Sequence, residues 1–225
     1  MWVPYRSKNE IENVADSVLM DWEHHSGTVL EPPVPVDAIV ETLLGLTLSI
    51  RDLVSEYWMD DVFGAIWMEP GEVAVDRLLD PTVFPEKEGR FHFTVAHEAG
   101  HWELHRHIYF RSRRRPVVMC RTSGARLPKE WQADFFAACL LMPRYLVRDA
   151  WKRVRWSTAA MRAEDVRREM EWQGLIARRR MGRSREEENI IFERFCQPLA
   201  GEFRVSAMAM RIRLEELGYL LRGAA

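Results

Sequence analysis

The chain has 225 residues, of which 47% are apolar and 11% aromatic, enough to bury the core of one domain or of one domain with a small appendage. The formal net charge of −2 excludes a polycation that coats nucleic acid, and the chain is not acidic enough to be disordered. Three cysteines, none in a CxxC pair, argue against a disulfide framework and for a reducing compartment.

The N-terminus lacks the apolar core of a signal peptide, and the most apolar run, 135–142, is far shorter than the roughly 18 residues of a membrane span. We therefore expect a cytoplasmic protein that has no contact with a membrane.

In chain order, the first elements are two helices and three strands. Apolar residues spaced as on one helix face predict a helix over 9–26. The segment EPPVPVD ends in Asp37, which we expect to cap a short helix that Gly45 closes. Three runs are typical of strands, and the turn signal EPG joins the last two: 46–53, 62–68 and 72–76.

Two strong helices and a charged helical region follow. One helix is predicted over 91–106, and the next starts near Lys129 and ends before Pro143. Between them, the basic, proline-bounded segment 111–128 is predicted to be a loop. Residues 146–180 are helix-like, and we expect their three tryptophans to fasten them to the core: Trp151, Trp156 and Trp172.

The segment HEAGH, residues 97–101, matches the pattern H-E-x-x-H. Residues four apart on a helix differ in direction by only about 40°, so His97 and His101 can present their imidazoles to one ion. Glu98 lies about 100° round from His97, beside such an ion, where it can take a proton from a water. The alternative is an amphipathic helix whose polar side carries histidines.

A catalytic zinc needs a third protein ligand and an open fourth position. His105 is about 12 Å beyond His97 on a straight helix, and Glu103 points to a different side. The third candidate is Glu130, at the start of the next helix. Asp134 lies one turn further on the same face and can accept the far N–H of a ligand histidine.

The segments RFHFTVAHEAGHWELHRH and EWQADFFAACLLMP together resemble the ImmA/IrrE family of metallopeptidases, and HExxH followed by ExxxD is similar to the gluzincin arrangement. The resemblance implies an α+β, zincin-like domain with a small β-sheet and an HExxH helix, followed by a C-terminal helical, helix-turn-helix-like appendage. It implies Zn²⁺ ligation by His97, His101 and Glu130, general-base catalysis by Glu98, and Asp134 behind a ligand. The family usually has a larger residue where Ala99 stands, and often asparagine at 134.

On this basis we expect a peptidase domain over 1–145, a charged helical segment over 146–189 and a helix-turn-helix-like module over 190–225. Arg204 stands in the turn of that module where glycine is common, so packing or partner docking is favoured over base reading. The basic runs 111–116 and 177–185 are interpreted as solvated faces, and direct nucleic-acid binding is an alternative that is not favoured.

The resemblance also implies a function: a zinc-dependent endopeptidase that cleaves a DNA-binding repressor or another regulatory protein, with a helix-turn-helix repressor as its partner. The alternatives are a non-proteolytic zinc-containing regulator that binds a repressor or DNA, or a toxin–antitoxin or phage-related component. A scaffold has no need of Glu98, so that residue separates the hypotheses.

The sequence also offers candidates for two steps of substrate binding: stabilising an oxyanion and aligning the peptide. Three residues that follow the motif are candidates to steady an oxyanion, with a structural or solvent-facing role favoured for each: Tyr109, His105 and His107. The edge of strand 62–68 or 72–76 is a candidate to align an extended substrate by strand addition.

Overall fold

The computed structural model describes residues 3–111, 117–121, 127–176 and 184–222. The chain divides into two compact units, Met1–Pro143 and Arg144–Ala225. The three-part domain division inferred from the sequence stays a prediction.

The first unit contains five α-helices in its described part, and the fourth and fifth of them pack closely against each other. Ser7 and Glu10 form a capping box at the start of the first helix, and Gly27 closes that helix in the left-handed conformation with φ 67°. The helices are α1 (Lys8–Ser26), α2 (Val36–Ala38, continued by a π-helical turn Ile39–Leu43), α3 (Leu53–Tyr57), α4 (Glu88–Arg111) and α5 (Pro128–Leu141).

Asp37 does not cap the short helix, so that prediction was wrong. The helix begins at the buried Val36, with Pro35 at the N-cap position and no side-chain cap. Asp37 therefore lies inside the first turn, where burial raises the pKa of its carboxyl against the opposing effect of His92.

A four-stranded sheet in the order β1-β3-β2-β4 completes the first unit. β1 runs parallel to β3, while β2 is antiparallel to both β3 and β4. The three predicted strands are present as β1 (Thr47–Arg51), β2 (Val62–Trp67) and β3 (Glu72–Asp76). The fourth, β4 (Val117–Arg121), lies within the predicted loop 111–128, and the rest of that loop, 112–116 and 122–126, lies outside the described residues.

The predicted substrate-aligning edge was assigned to the wrong strands. In the part of the chain that the structure describes, β2 and β3 each have a partner strand on both sides, so neither offers free backbone groups for strand addition. The outer strands are β1 and β4. Sequence alone missed this because β4 is separated from its partner β2 by the whole of α4.

The second unit contains four helices among its described residues, and two short parallel strands pair across it. Its core includes Trp151, Phe192 and Phe203, each fully or almost fully buried. The elements are α6 (Arg144–Arg155), β5 (Met161–Arg162), α7 (Ala163–Trp172), α8 (Arg185–Glu202), α9 (Ala207–Glu216) and β6 (Leu220–Leu221).

Two of the three tryptophan predictions in this unit were wrong. Trp151 is buried, but Trp156 and Trp172 are 93% and 83% exposed and fasten nothing. Trp156 has φ 53° just after α6 ends, and Trp172 is the last residue of α7. Helical spacing alone does not reveal that these two side chains stand at helix ends.

Arg204 adopts the left-handed conformation, φ 49°, in the turn between α8 and α9. This is the position where the sequence pattern led us to expect glycine, and the conformation is unfavourable for an arginine. Ser206 caps the N-terminus of α9 by accepting a hydrogen bond from the Ala209 amide. A helix-turn-helix-like role for these two helices stays a prediction. Among the described residues, no helix combines the length and the apolar character that crossing a membrane requires.

Candidate metal centre

The close approach of α4 and α5 positions the candidate site. Gly100 of α4 faces the backbone of α5 so closely that a Cβ there would lie 3.1 Å from both Cα and the carbonyl oxygen of Ala133. This contact holds the α4 residues His97 and His101 opposite Glu130 at the start of α5. The glycine inside the helix is therefore explained by packing between the two helices.

Substituting Gly100 with alanine is expected to lower the affinity for Zn²⁺ roughly tenfold, because α5 must shift by a few tenths of an ångström and carry Glu130 away from the histidines. Zinc affinity is measured by chelator competition. The matched control is Gly201→Ala in α8, where a Cβ meets nothing within 4 Å and only helix propensity changes. Equal zinc affinity in both variants would show that the helix contact does not position the site.

Three side-chain atoms converge between the two helices. The Nε2 atoms of His97 and His101 are 3.0 Å apart, and each lies 3.2 Å from Oε2 of Glu130. These three residues form the group suited to hold a metal ion among the described residues. Ligand atoms about 2.0–2.2 Å from a tetrahedral zinc lie roughly 3.3–3.6 Å apart, so the observed triangle is close to that size.

The hydrogen bonds behind the triangle explain why its atoms face one another. Nδ1 of His97 lies 2.9 Å from Oδ1 of Asp134, a carboxylate that accepts, so Nδ1 carries a proton, and in the neutral imidazole Nε2 then carries a lone pair. Lys129 Nζ lies 3.1 Å from Oε1 of Glu130, which leaves Oε2 turned towards the histidines. Two acceptors 3.2 Å apart repel unless a cation lies between them, so the donor set fits a metal ion.

Burial keeps the two inner histidines neutral. His101 is completely buried, and burial lowers its pKa to about 3. Burial likewise lowers the pKa of His105 to about 4. A neutral imidazole is the form that binds a metal, so His101 needs to release no proton before ligation.

Glu98 is the most unusual group of the site. Its side chain is completely buried, and neither carboxylate oxygen has a hydrogen-bond partner within the part of the chain that the structure describes. Burial raises its pKa to about 8; His97 and Lys129 oppose the rise and Glu130 adds to it. Gly64 of β2 makes room for it, because a Cβ there would lie 2.8 Å from Oε1 of Glu98.

The other candidate residues are placed differently. His105 hydrogen-bonds to His101 and Gln132 behind the triangle, and His107 is exposed on α4. Tyr109 is buried and hydrogen-bonds to Lys129. Sequence reasoning missed Lys129 and Gln132, although both flank Glu130 within one turn of α5.

Two histidines on one helix, a glutamate beside them and a second glutamate from the next helix define a metallopeptidase-like site. The family model of the IrrE N-terminal-like domain, of the M78 peptidases, matches residues 86–215. The match covers more than half of the chain, and the chain belongs to this family. The resemblance inferred from the two helix segments is thereby confirmed, and the helix-rich α+β fold with its small sheets fits such a domain.

Comparison with solved structures found a Mycobacterium tuberculosis transcriptional regulator with 13% sequence identity and a TM-score of 0.45. The alignment covers 91% of this chain and 51% of the regulator, so the chain spans about half of that protein's length. A likeness this low does not indicate a shared function. A search of curated proteins gave no match.

Proposed function

We propose that this protein is a zinc-dependent endopeptidase that cleaves a regulatory protein, with a helix-turn-helix repressor of transcription as the favoured substrate. The observation that carries the proposal is the convergence of His97, His101 and Glu130 next to the buried, unpartnered carboxyl of Glu98. Membership of the M78 family supports peptidase activity and a role in regulation.

Zn²⁺ fits this donor set of two imidazoles and one carboxylate, and when bound it would polarise a peptide carbonyl and make water more acidic. His97, His101 and Glu130 would hold the ion, and Asp134 orients the ring of His97. Glu98 then accepts a proton from the attacking water at one carboxylate oxygen and donates it to the nitrogen of the leaving amine.

The burial of Glu98 suits it to both halves of this proton transfer. A carboxyl whose pKa burial raises to about 8 is a stronger base than an exposed one, and its protonated form can act as the acid in the next step. The lack of other partners leaves both oxygens free of competing hydrogen bonds.

The alternative is a non-proteolytic regulator in which the metal only stabilises a surface that binds a repressor or DNA. Such a protein has no need of a buried, unpartnered carboxyl, whose burial is costly. The basic runs considered for DNA contact lie mostly outside the described residues. The geometry of Glu98 therefore favours the peptidase.

The test uses the full chain and a mixed library of peptides prepared from a bacterial proteome. After removal of metal by a chelator and reloading with Zn²⁺, mass spectrometry is expected to detect new peptide termini that are absent from the metal-free sample. Absence of new termini with zinc-loaded protein, on the library and on purified helix-turn-helix repressors alike, would overturn the proposal.

A further inference from the structure

We infer that His105 and Gln132 are positioning residues that fix which ring nitrogen of His101 carries the proton, through a buried hydrogen-bonded chain that ends at the backbone of Pro4. The inference rests on the proposed metal site, because it concerns the lone pair that His101 presents there. It assigns a role to two side chains that do not touch the metal or the substrate.

The hydrogen-bonded chain runs from the triangle to Pro4 without a break. Nδ1 of His101 lies 3.1 Å from Nδ1 of His105, and Nε2 of His105 lies 3.0 Å from Oε1 of Gln132. The amide nitrogen of Gln132 donates to the carbonyl oxygen of Pro4 at 2.9 Å. The two histidines and Gln132 are at most 1% exposed, so water cannot replace these partners.

The hydrogen bond at the Pro4 end determines which atoms carry the protons along this series of hydrogen bonds. The carbonyl of Pro4 can only accept, so the NH₂ group of Gln132 faces Pro4 and its oxygen faces His105. That oxygen can only accept, so Nε2 of His105 carries a proton. In a neutral imidazole the other nitrogen then has a lone pair, which places a lone pair on Nδ1 of His105.

The hydrogen bond between His105 and His101 extends this argument to the metal site. Because Nδ1 of His105 is an acceptor, Nδ1 of His101 is the donor of the 3.1 Å hydrogen bond between them. Nε2 of His101 is then unprotonated and faces Nε2 of His97 and Oε2 of Glu130. With His97 neutral, all three converging atoms therefore carry lone pairs, the arrangement that a cation requires.

The two histidines are thus supported in different ways. His97 is backed by the carboxylate of Asp134, whose side chain is 45% exposed, whereas His101 is backed by the uncharged, buried side chains of His105 and Gln132. A carboxylate buried behind His101 would add a negative charge that needs compensation in the interior. The neutral relay orients the ring without that charge.

The relay is tested by imidazole nitrogen NMR and by zinc affinity, neither of which depends on a peptide substrate. In the metal-free wild-type protein, long-range ¹⁵N–¹H spectra are expected to show His101 protonated at Nδ1 and His105 protonated at Nε2. The reverse assignment for His101 would overturn the inference, whatever the result of the peptidase experiment.

Variants of Gln132 separate positioning from simple packing. Gln132→Leu removes the acceptor for His105, so His101 is expected to show a mixture of the two protonation patterns and a zinc affinity lower by roughly 10–100-fold. Gln132→Glu keeps an oxygen that accepts from Nε2 of His105, and its protonated carboxyl can still donate to the carbonyl of Pro4, so it is expected to retain the wild-type protonation pattern.

Unchanged nitrogen signals and zinc affinity in Gln132→Leu would overturn the inference, and so would the same loss of the wild-type protonation pattern in both variants. Circular dichroism checks that each variant folds; should the leucine variant not fold, the wild-type spectra and the glutamate variant decide. If wild-type protein binds zinc with the expected proton pattern yet cleaves nothing, the relay stands and only the proposed function fails.

Discussion

Replacing Glu98 with glutamine is expected to slow peptide hydrolysis by about two to four orders of magnitude while leaving Zn²⁺ bound. Glutamine has the same shape but cannot accept the proton of the attacking water. The three residues that would hold the metal are unchanged, and they contact Glu98 through no hydrogen bond in the described part of the chain. The measurements are zinc content and the rate at which peptides from the library are cleaved.

The matched control is Glu103→Gln, the same change on the same helix at a residue that pairs with Arg106 instead of facing the site. We expect it to cleave at close to the wild-type rate. If the Glu98 variant cleaves as fast as wild type, another group is the base. If neither the wild-type protein nor the Glu98 variant cleaves peptides, but both regulate a repressor in cells, the non-proteolytic alternative is correct.

Much of the candidate site follows from local helix geometry, which sequence reveals well. His97 and His101 share a face because they are four residues apart, and the same spacing places Glu130 and Asp134 together on α5. The structure brings these two pairs together, with Asp134 hydrogen-bonded to the ring of His97. Their roles as ligands and as orienting group stay predictions until metal binding is measured.

The parts of the site that were not predicted from the sequence depend on contacts between residues far apart in sequence. In sequence, Gln132 has no feature that distinguishes it from other helical residues. Its side-chain amide is oriented by donating a hydrogen bond to the carbonyl of Pro4, 128 positions away. Lys129 gains its role only because Glu130 turns one oxygen towards it and the other towards α4. No spacing rule along one helix predicts such contacts.

The fold likewise divides into local pairings, which the sequence predicts, and distant pairings, which it does not. The hairpin of β2 and β3 is local and was predicted from the turn between two apolar runs. The parallel pairing of β1 with β3 and the pairing of β4 with β2 are not local, and no pattern along the chain indicates either of them. β4 pairs with the outer side of β2. Because β4 was not predicted, β2 was wrongly predicted to have a free edge that could align a substrate.

The buried carboxyl of Glu98 also predicts how the stability of the metal-free protein changes with pH. Its pKa is about 8 in the folded protein and about 4.5 when exposed in the unfolded chain. Between these values the folded state holds a proton that the unfolded state has released, so the free energy of unfolding falls as pH rises, by about 1.4 kcal/mol per unit. Below about pH 4.5 both states are protonated, and above about pH 8 both are ionised, so the slope disappears.

Glu98→Gln removes this titration, so metal-free variant and wild type are expected to differ by little near pH 5 and by a few kcal/mol near pH 8, with the variant more stable. Unfolding of the first unit is followed in urea by labelling of Cys139, a buried thiol on α5, with buried Cys196 of the second unit as the internal reference. Comparing the two proteins at each pH cancels the pH dependence of the labelling reaction. A difference that stays constant from pH 5 to pH 8 would mean that Glu98 is already ionised in the folded, metal-free protein, and that a cationic partner, not burial, determines its state.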